Sequence, residues 1–106
     1  MKSLNDLTVV VVTFNTPRKV ILDCLNSISK NVNILIVENS DFFNEQDLVS
    51  TKFSNVKVVC TGENLGYGKG NNFGINHVKT DYVLILNPDV ICDENFYLGL
   101  LLFHLV

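Results

Sequence analysis

Asp89 closes the tripeptide Asn87-Pro88-Asp89, which directly follows an apolar run over residues 82–86. A carboxylate just past a buried strand lies where an open α/β sheet forms its ligand crevice. Pro88 disfavours the helical basin for Asn87 and sets an extended turn. Asp89 is then a hard oxygen donor suited to Mg²⁺ or Mn²⁺. Those ions bind through one or two carboxylates and take substrate phosphates and water as further ligands. On the tripeptide alone, an aspartate that merely caps a turn is the commoner case.

A second polar element lies upstream: Asn64-Leu-Gly-Tyr-Gly-Lys-Gly-Asn-Asn-Phe-Gly74. Gly66, Gly68 and Gly70 permit positive φ and close backbone approach. They open a helix whose first N–H groups can face a phosphate or a base edge. The segment is no dinucleotide fingerprint, because it follows the third strand and its glycines are wrongly spaced. Asn71 and Asn72 are poor helix formers at a helix start, which suggests side-chain bonds to a neighbouring loop or a ligand. Gly74 in mid-helix costs roughly 1 kcal/mol against alanine, a cost that tight packing on the sheet would explain. Lys69 reads as solvated more readily than as a phosphate contact. Glu38 ends another buried run and can accept from a ribose or a base N–H, or equally pair with a helix N-terminus. His77 and His104 stand at no strand end, and no Ser/His/Asp or Cys/His grouping is visible.

The elements that must hold these groups alternate. Residues 7–14 form a β-branched apolar run, as expected of a parallel strand buried on both faces. Thr16 followed by Pro17 predicts a helix start, and Ile21, Cys24, Leu25 and Ile28 then share one helical face until Asn31 and Asn33 break it. Residues 33–37 read as a second strand, running into Glu38, Asn39, Ser40 and Asp41. A short helix opens near Asn44, with acids in its first turn. A third strand over residues 55–60 leads into the glycine-rich segment, and a helix follows over about residues 68–78. Residues 82–86 are the fourth strand, and Asp93 caps a last helix carrying Phe96, Leu100 and Phe103. Such alternation implies a single α/β domain over residues 1–106: an open, mainly parallel, Rossmann-like sheet with flanking helices and right-handed crossovers.

Composition narrows the partners. The chain has 106 residues, a net charge of −3 and no basic stripe, which argues against nucleic acid. Cys24, Cys60 and Cys92 are far apart and odd in number, so they read as buried thiols in a reducing compartment. No leader with a cleavage site is apparent, and no run approaches a membrane span. The expected location is cytoplasmic, or peripheral to the inner face of the membrane.

Four motifs stand in a set order: Val-Val-Thr-Phe-Asn15, Ile-Val-Glu-Asn-Ser40, the glycine-rich segment through Gly74-Ile, and Tyr-Val-Leu-Ile-Leu-Asn-Pro-Asp89. In that order the chain resembles family 2 glycosyltransferases of the GT-A fold, over nearly its whole length. The Asn-Pro-Asp variant is similar to bacterial rhamnosyltransferase-like members. The resemblance implies a sheet order of 3-2-1-4 and a donor site for a nucleotide-diphosphate sugar of UDP or dTDP type. Thr13, Asn15 and Glu38 would hold the nucleoside, with Asn39, Gly66, Asn71, Asn72 and Asn87 also in the nucleotide-sugar site. Asp89 would bind Mg²⁺ or Mn²⁺, with Asn87 in place of the first aspartate of a D-x-D motif.

The reaction that the resemblance implies is inverting transfer to a saccharide acceptor, with surface polysaccharide as the destination. The family's catalytic base lies beyond the D-x-D element, and no acid follows Glu94 here. The expectation is therefore a donor-binding half that does not complete turnover alone, with the fourth strand as an edge prone to self-association. Two rivals remain: a non-catalytic nucleotide-binding module, and a flavodoxin- or receiver-type interaction domain. A receiver would want paired acids after the first strand, and Thr13-Phe-Asn15 offers none. A flavodoxin would want a phosphate loop there, for which Pro17-Arg18-Lys19 is poor.

Overall fold

The computed structural model describes residues 3–93. The expected last helix with Phe96, Leu100 and Phe103 lies outside the described residues, as does His104. After a single 3-10 turn at Leu4–Asp6, the order is β1 (Leu7–Thr13), α1 (Arg18–Ser27), β2 (Asn33–Glu38), α2 (Gln46–Lys52), β3 (Val56–Cys60), α3 (Tyr67–Ile75) and β4 (Tyr82–Leu86). The strands form one parallel sheet in the order β3-β2-β1-β4, as the resemblance implies.

Two apolar layers sandwich that sheet. Leu7, Val9, Val11, Ile34 and Ile36 point to one face, where they meet Ile21, Cys24, Leu25 and Ile28 at α1 and Val49 of α2. Val10, Val12, Leu35 and Val37 point to the other, beneath Phe73 and Val78. Every residue of β1 is buried, which is why its sequence shows no polar alternation. Full burial of each valine contributes about 1.5–3 kcal/mol. β4 joins through the register Leu7↔Tyr82 to Val11↔Leu86 and is far more exposed than β1. No described strand pairs its outer edge.

Several local expectations change. Thr16 does not cap α1: Pro17 holds the cap position, and the Thr16 hydroxyl instead accepts the Phe14 N–H at 3.2 Å. The helix stops at Ser27, before the asparagines, where the Ile28 N–H turns back to the Leu25 carbonyl. α3 begins and ends earlier than expected, at Tyr67 and Ile75. Cys24 and Cys92 are buried, but Cys60, last on the thin edge strand β3, is exposed. No helix among the described residues is long and apolar enough to cross a membrane.

Candidate functional site

The parallel register brings the chain's polar segments to one rim. Thr13 closes β1 opposite Glu38, and Glu38 stands opposite Cys60 on β3. Burial of Glu38 is nearly complete, at 2% exposure, so its charge needs donors. The Thr13 hydroxyl donates to Oε1 at 2.8 Å, and the Ser40 hydroxyl donates to Oε2 at 2.6 Å. A longer bond of 3.4 Å runs from the Asn15 N–H to Oε2. Asn15 has φ 49°, in the left-handed region that asparagine tolerates better than most residues.

Asn39 faces the other way and fastens β2 to the glycine-rich segment. Its Oδ1 accepts the Leu65 N–H at 3.1 Å, and its Nδ2 donates to the Gly66 carbonyl at 2.8 Å. Gly66 adopts φ 85°, so the turn needs glycine there. α3 then lies flat on the sheet. A Cβ at Gly70 would come within 3.1 Å of both Val12 and Asn39, and one at Gly74 within 2.8 Å of Val10 and 2.7 Å of Val37. The close helix-to-sheet packing expected from Gly74 is thus present. On the same helix, Asn71 is buried and its Oδ1 has no hydrogen-bond partner among the described residues. Asn72 is exposed, outside this buried network.

The fourth segment is tied in from α3. The Tyr67 hydroxyl donates to Asn87 Oδ1, and a turn closes from the Val90 N–H to the Asn87 carbonyl at 3.1 Å. Asp89 rides on that turn, exposed to solvent. Its charge adds to burial and to Cys92 in pushing the Cys24 thiol up to about 11. Ends of β1, β2 and β4 and the glycine turn are therefore linked by a continuous run of side-chain bonds. Ser40 and Tyr67 add bonds to this run, although they stood inside the motifs without a site role of their own. Their signals were present: a hydroxyl two residues after Glu38, and an aromatic donor inside the glycine run.

No group of three or more His, Cys, Asp or Glu side chains is poised for a metal among the described residues. Asn87 Oδ1 already accepts from Tyr67, leaving Asp89 as a single exposed carboxylate on this turn. That donor set fits a cation that arrives with a diphosphate, and does not fit one held by protein alone. A cavity of about 220 Å³ opens at the opposite rim, lined by residues such as Thr8, Asn55, Lys57, His77 and Lys79. His77 belongs to that side, its Nδ1 2.8 Å from the Phe73 carbonyl.

Comparison with known proteins agrees with this architecture. The model of "Glycosyl transferase family 2" matches residues 8–105. No curated protein sequence matches the chain. Among solved structures, S. aureus TarS residues 1–349 superpose with a TM-score of 0.74 at 21% identity, covering 92% of this chain and 31% of that one. The same TarS region in complex with UDP gives 0.69 at 20% identity, covering 92% and 32%. A longer TarS structure also gives 0.69 at 20%, covering 92% and 19%. The chain thus spans a third or less of each of these TarS structures.

Proposed function

Since the chain belongs to glycosyl transferase family 2, we propose that it forms the donor-binding half of a glycosyltransferase, which holds a nucleoside diphosphate sugar for attack by a saccharide hydroxyl. The observation that carries this reading is the linked rim, where Thr13–Glu38, Asn39–Gly66 and Tyr67–Asn87 draw four polar segments onto one side of a rigid sheet. Ligands of open α/β sheets bind outside the carboxyl ends of the strands.

The nucleoside lies against the β1 and β2 ends, near Thr13, Asn15 and Asn39. Asn71 supports the reading, because its buried Oδ1 is an acceptor that a ligand N–H or O–H can satisfy. The pyrophosphate meets the first N–H groups of α3, which Gly66 and Gly68 leave open to close approach. Asp89 would hold a divalent cation at the diphosphate, and a bound cation would supply charge neutralisation for the departing nucleoside diphosphate. The general base is neither Glu38, which is bonded within the chain, nor Asp89, which is assigned to the cation. Inverting stereochemistry, and rhamnose as the sugar, rest on the motif resemblance alone. TarS residues 1–349 crystallised with UDP, which makes UDP the first ligand to try.

Titration calorimetry with UDP, dTDP and GDP, with and without Mn²⁺, tests the proposal. One pyrimidine nucleoside diphosphate should bind, more tightly with Mn²⁺. Asp89→Asn should abolish the Mn²⁺ enhancement and keep the weaker metal-free binding. Absence of binding to any of the three at millimolar concentration with Mn²⁺ refutes the reading.

A further inference from the structure

We propose that Glu38 is a positioning residue whose buried carboxylate latches the ends of β1 and β2 together, so that it does not itself read the nucleobase. The inference rests on the donor-site reading above and changes what determines base specificity there.

A carboxylate offers about four lone-pair positions. Three donors of this chain face Glu38: the Thr13 and Ser40 hydroxyls and the Asn15 N–H. With Glu38 at 2% and Thr13 at 1% exposure, the carboxylate and its shortest β1 partner lie beneath the rim surface. Ser40 commits to Glu38 by geometry, because its single proton has a nearer acceptor in Oε2, at 2.6 Å, than in the Phe42 carbonyl, at 3.0 Å. Oε2 already carries two of these donors, and the lone pair left on Oε1 lies beside the buried Thr13 hydroxyl, so a base N–H coming from the rim displaces the Ser40 hydroxyl or the Asn15 N–H and covers it. A new bond to a charged group and an orphaned buried donor are of similar size and opposite sign, so the exchange yields no net affinity. The latch acts through Asn15 instead. Its N–H is drawn toward Oε2 while φ sits at 49°, which sets the course of the chain over Phe14 and Asn15. Recognition of the base then falls to backbone groups and uncharged side chains of the rim.

The two roles separate on the ratio of UDP to CDP affinity. Uracil presents an N3–H donor where cytosine presents an acceptor. If Glu38 read the base, Glu38→Gln would offer an amide donor to cytosine and shift the ratio at least tenfold toward CDP. The latch predicts that Glu38→Gln weakens both ligands together, about tenfold each, with the ratio held within about threefold. Ser40→Ala keeps the carboxylate and frees one lone pair. It should likewise weaken both ligands with the ratio unchanged, and Ser40→Thr should restore them. This variant decides the matter if Glu38→Gln does not fold. A tenfold change of ratio in either variant overturns the inference.

A wild-type chain that binds no nucleoside diphosphate sinks the donor-site reading. The latch is then judged without ligand by a double-mutant cycle in thermal melting. Non-additive losses from Ser40→Ala and Thr13→Val, whose hydroxyls both donate to the carboxylate, support it, and additive losses overturn it.

Discussion

Replacing Gly74 by alanine isolates the contact that seats α3 on the sheet. The added methyl would stand 2.7 Å from Val37 Cγ2 and 2.8 Å from Val10 Cγ1. Both valines are fully buried on adjacent strands, and β-branched side chains are stiff at χ1. Neither can rotate away, so helix and sheet must separate. Overpacking of this kind costs about 1–3 kcal/mol. Two simultaneous contacts below 3 Å put Gly74→Ala toward the upper end, at about 2–3 kcal/mol. Alanine recovers roughly 1 kcal/mol of helix propensity, leaving a net loss of about 1–2 kcal/mol. Gly68→Ala is the control, because a Cβ there meets nothing within 4 Å. It keeps a propensity gain of up to about 1 kcal/mol. The two variants should therefore differ by about 2–3 kcal/mol, or on the order of 10–20 °C in melting temperature for a chain of this size. Urea unfolding followed by circular dichroism reads this as a lower midpoint with an unchanged slope. If Gly74→Ala melts at or above Gly68→Ala, the packing argument is wrong, and with it the reason for a mid-helix glycine.

Asn39→Ala removes the bonds to Leu65 and Gly66 and should cost about 2–3 kcal/mol; hydrogen exchange should show the Leu65 N–H losing protection first. Asn71→Leu exchanges a buried acceptor without a partner for an apolar group, so stability should change by less than about 1 kcal/mol while UDP affinity falls at least tenfold; a large loss of stability with affinity intact would assign Asn71 to packing. Burial, with Cys92 and Asp89 adding, raises the Cys24 thiol from 9.0 to about 11, so the folded state disfavours the thiolate. That contribution is complete below pH 9.0 and is lost as pH rises toward about 11, and Cys24→Ala should remove this part of the alkaline fall in melting temperature. Under native conditions Cys60 should be alkylated first, since it alone of the three thiols is exposed.

Much of the fold was legible because the physics is local. Short apolar runs rich in β-branched residues at β1 and β2 suit strands buried on both faces, and the spacing of Ile21, Cys24, Leu25 and Ile28 marks a helix face. Gly74 announced a close approach before any partner was visible. The motif order also named the segments that meet at one rim, since parallel strands joined by helical crossovers must end on the same side. Tertiary structure decided which atoms are still available there. Glu38 is an open acceptor as a residue type at a strand end, and in the fold donors from Thr13, Ser40 and Asn15 already face its oxygens, while the Asn71 Oδ1 is a buried acceptor without a partner among the described residues. Hydrogen-bond satisfaction depends on distances of a few tenths of an ångström between segments far apart in the chain. A one-dimensional pattern records which groups can bond, and only the packed sheet determines which of them already have.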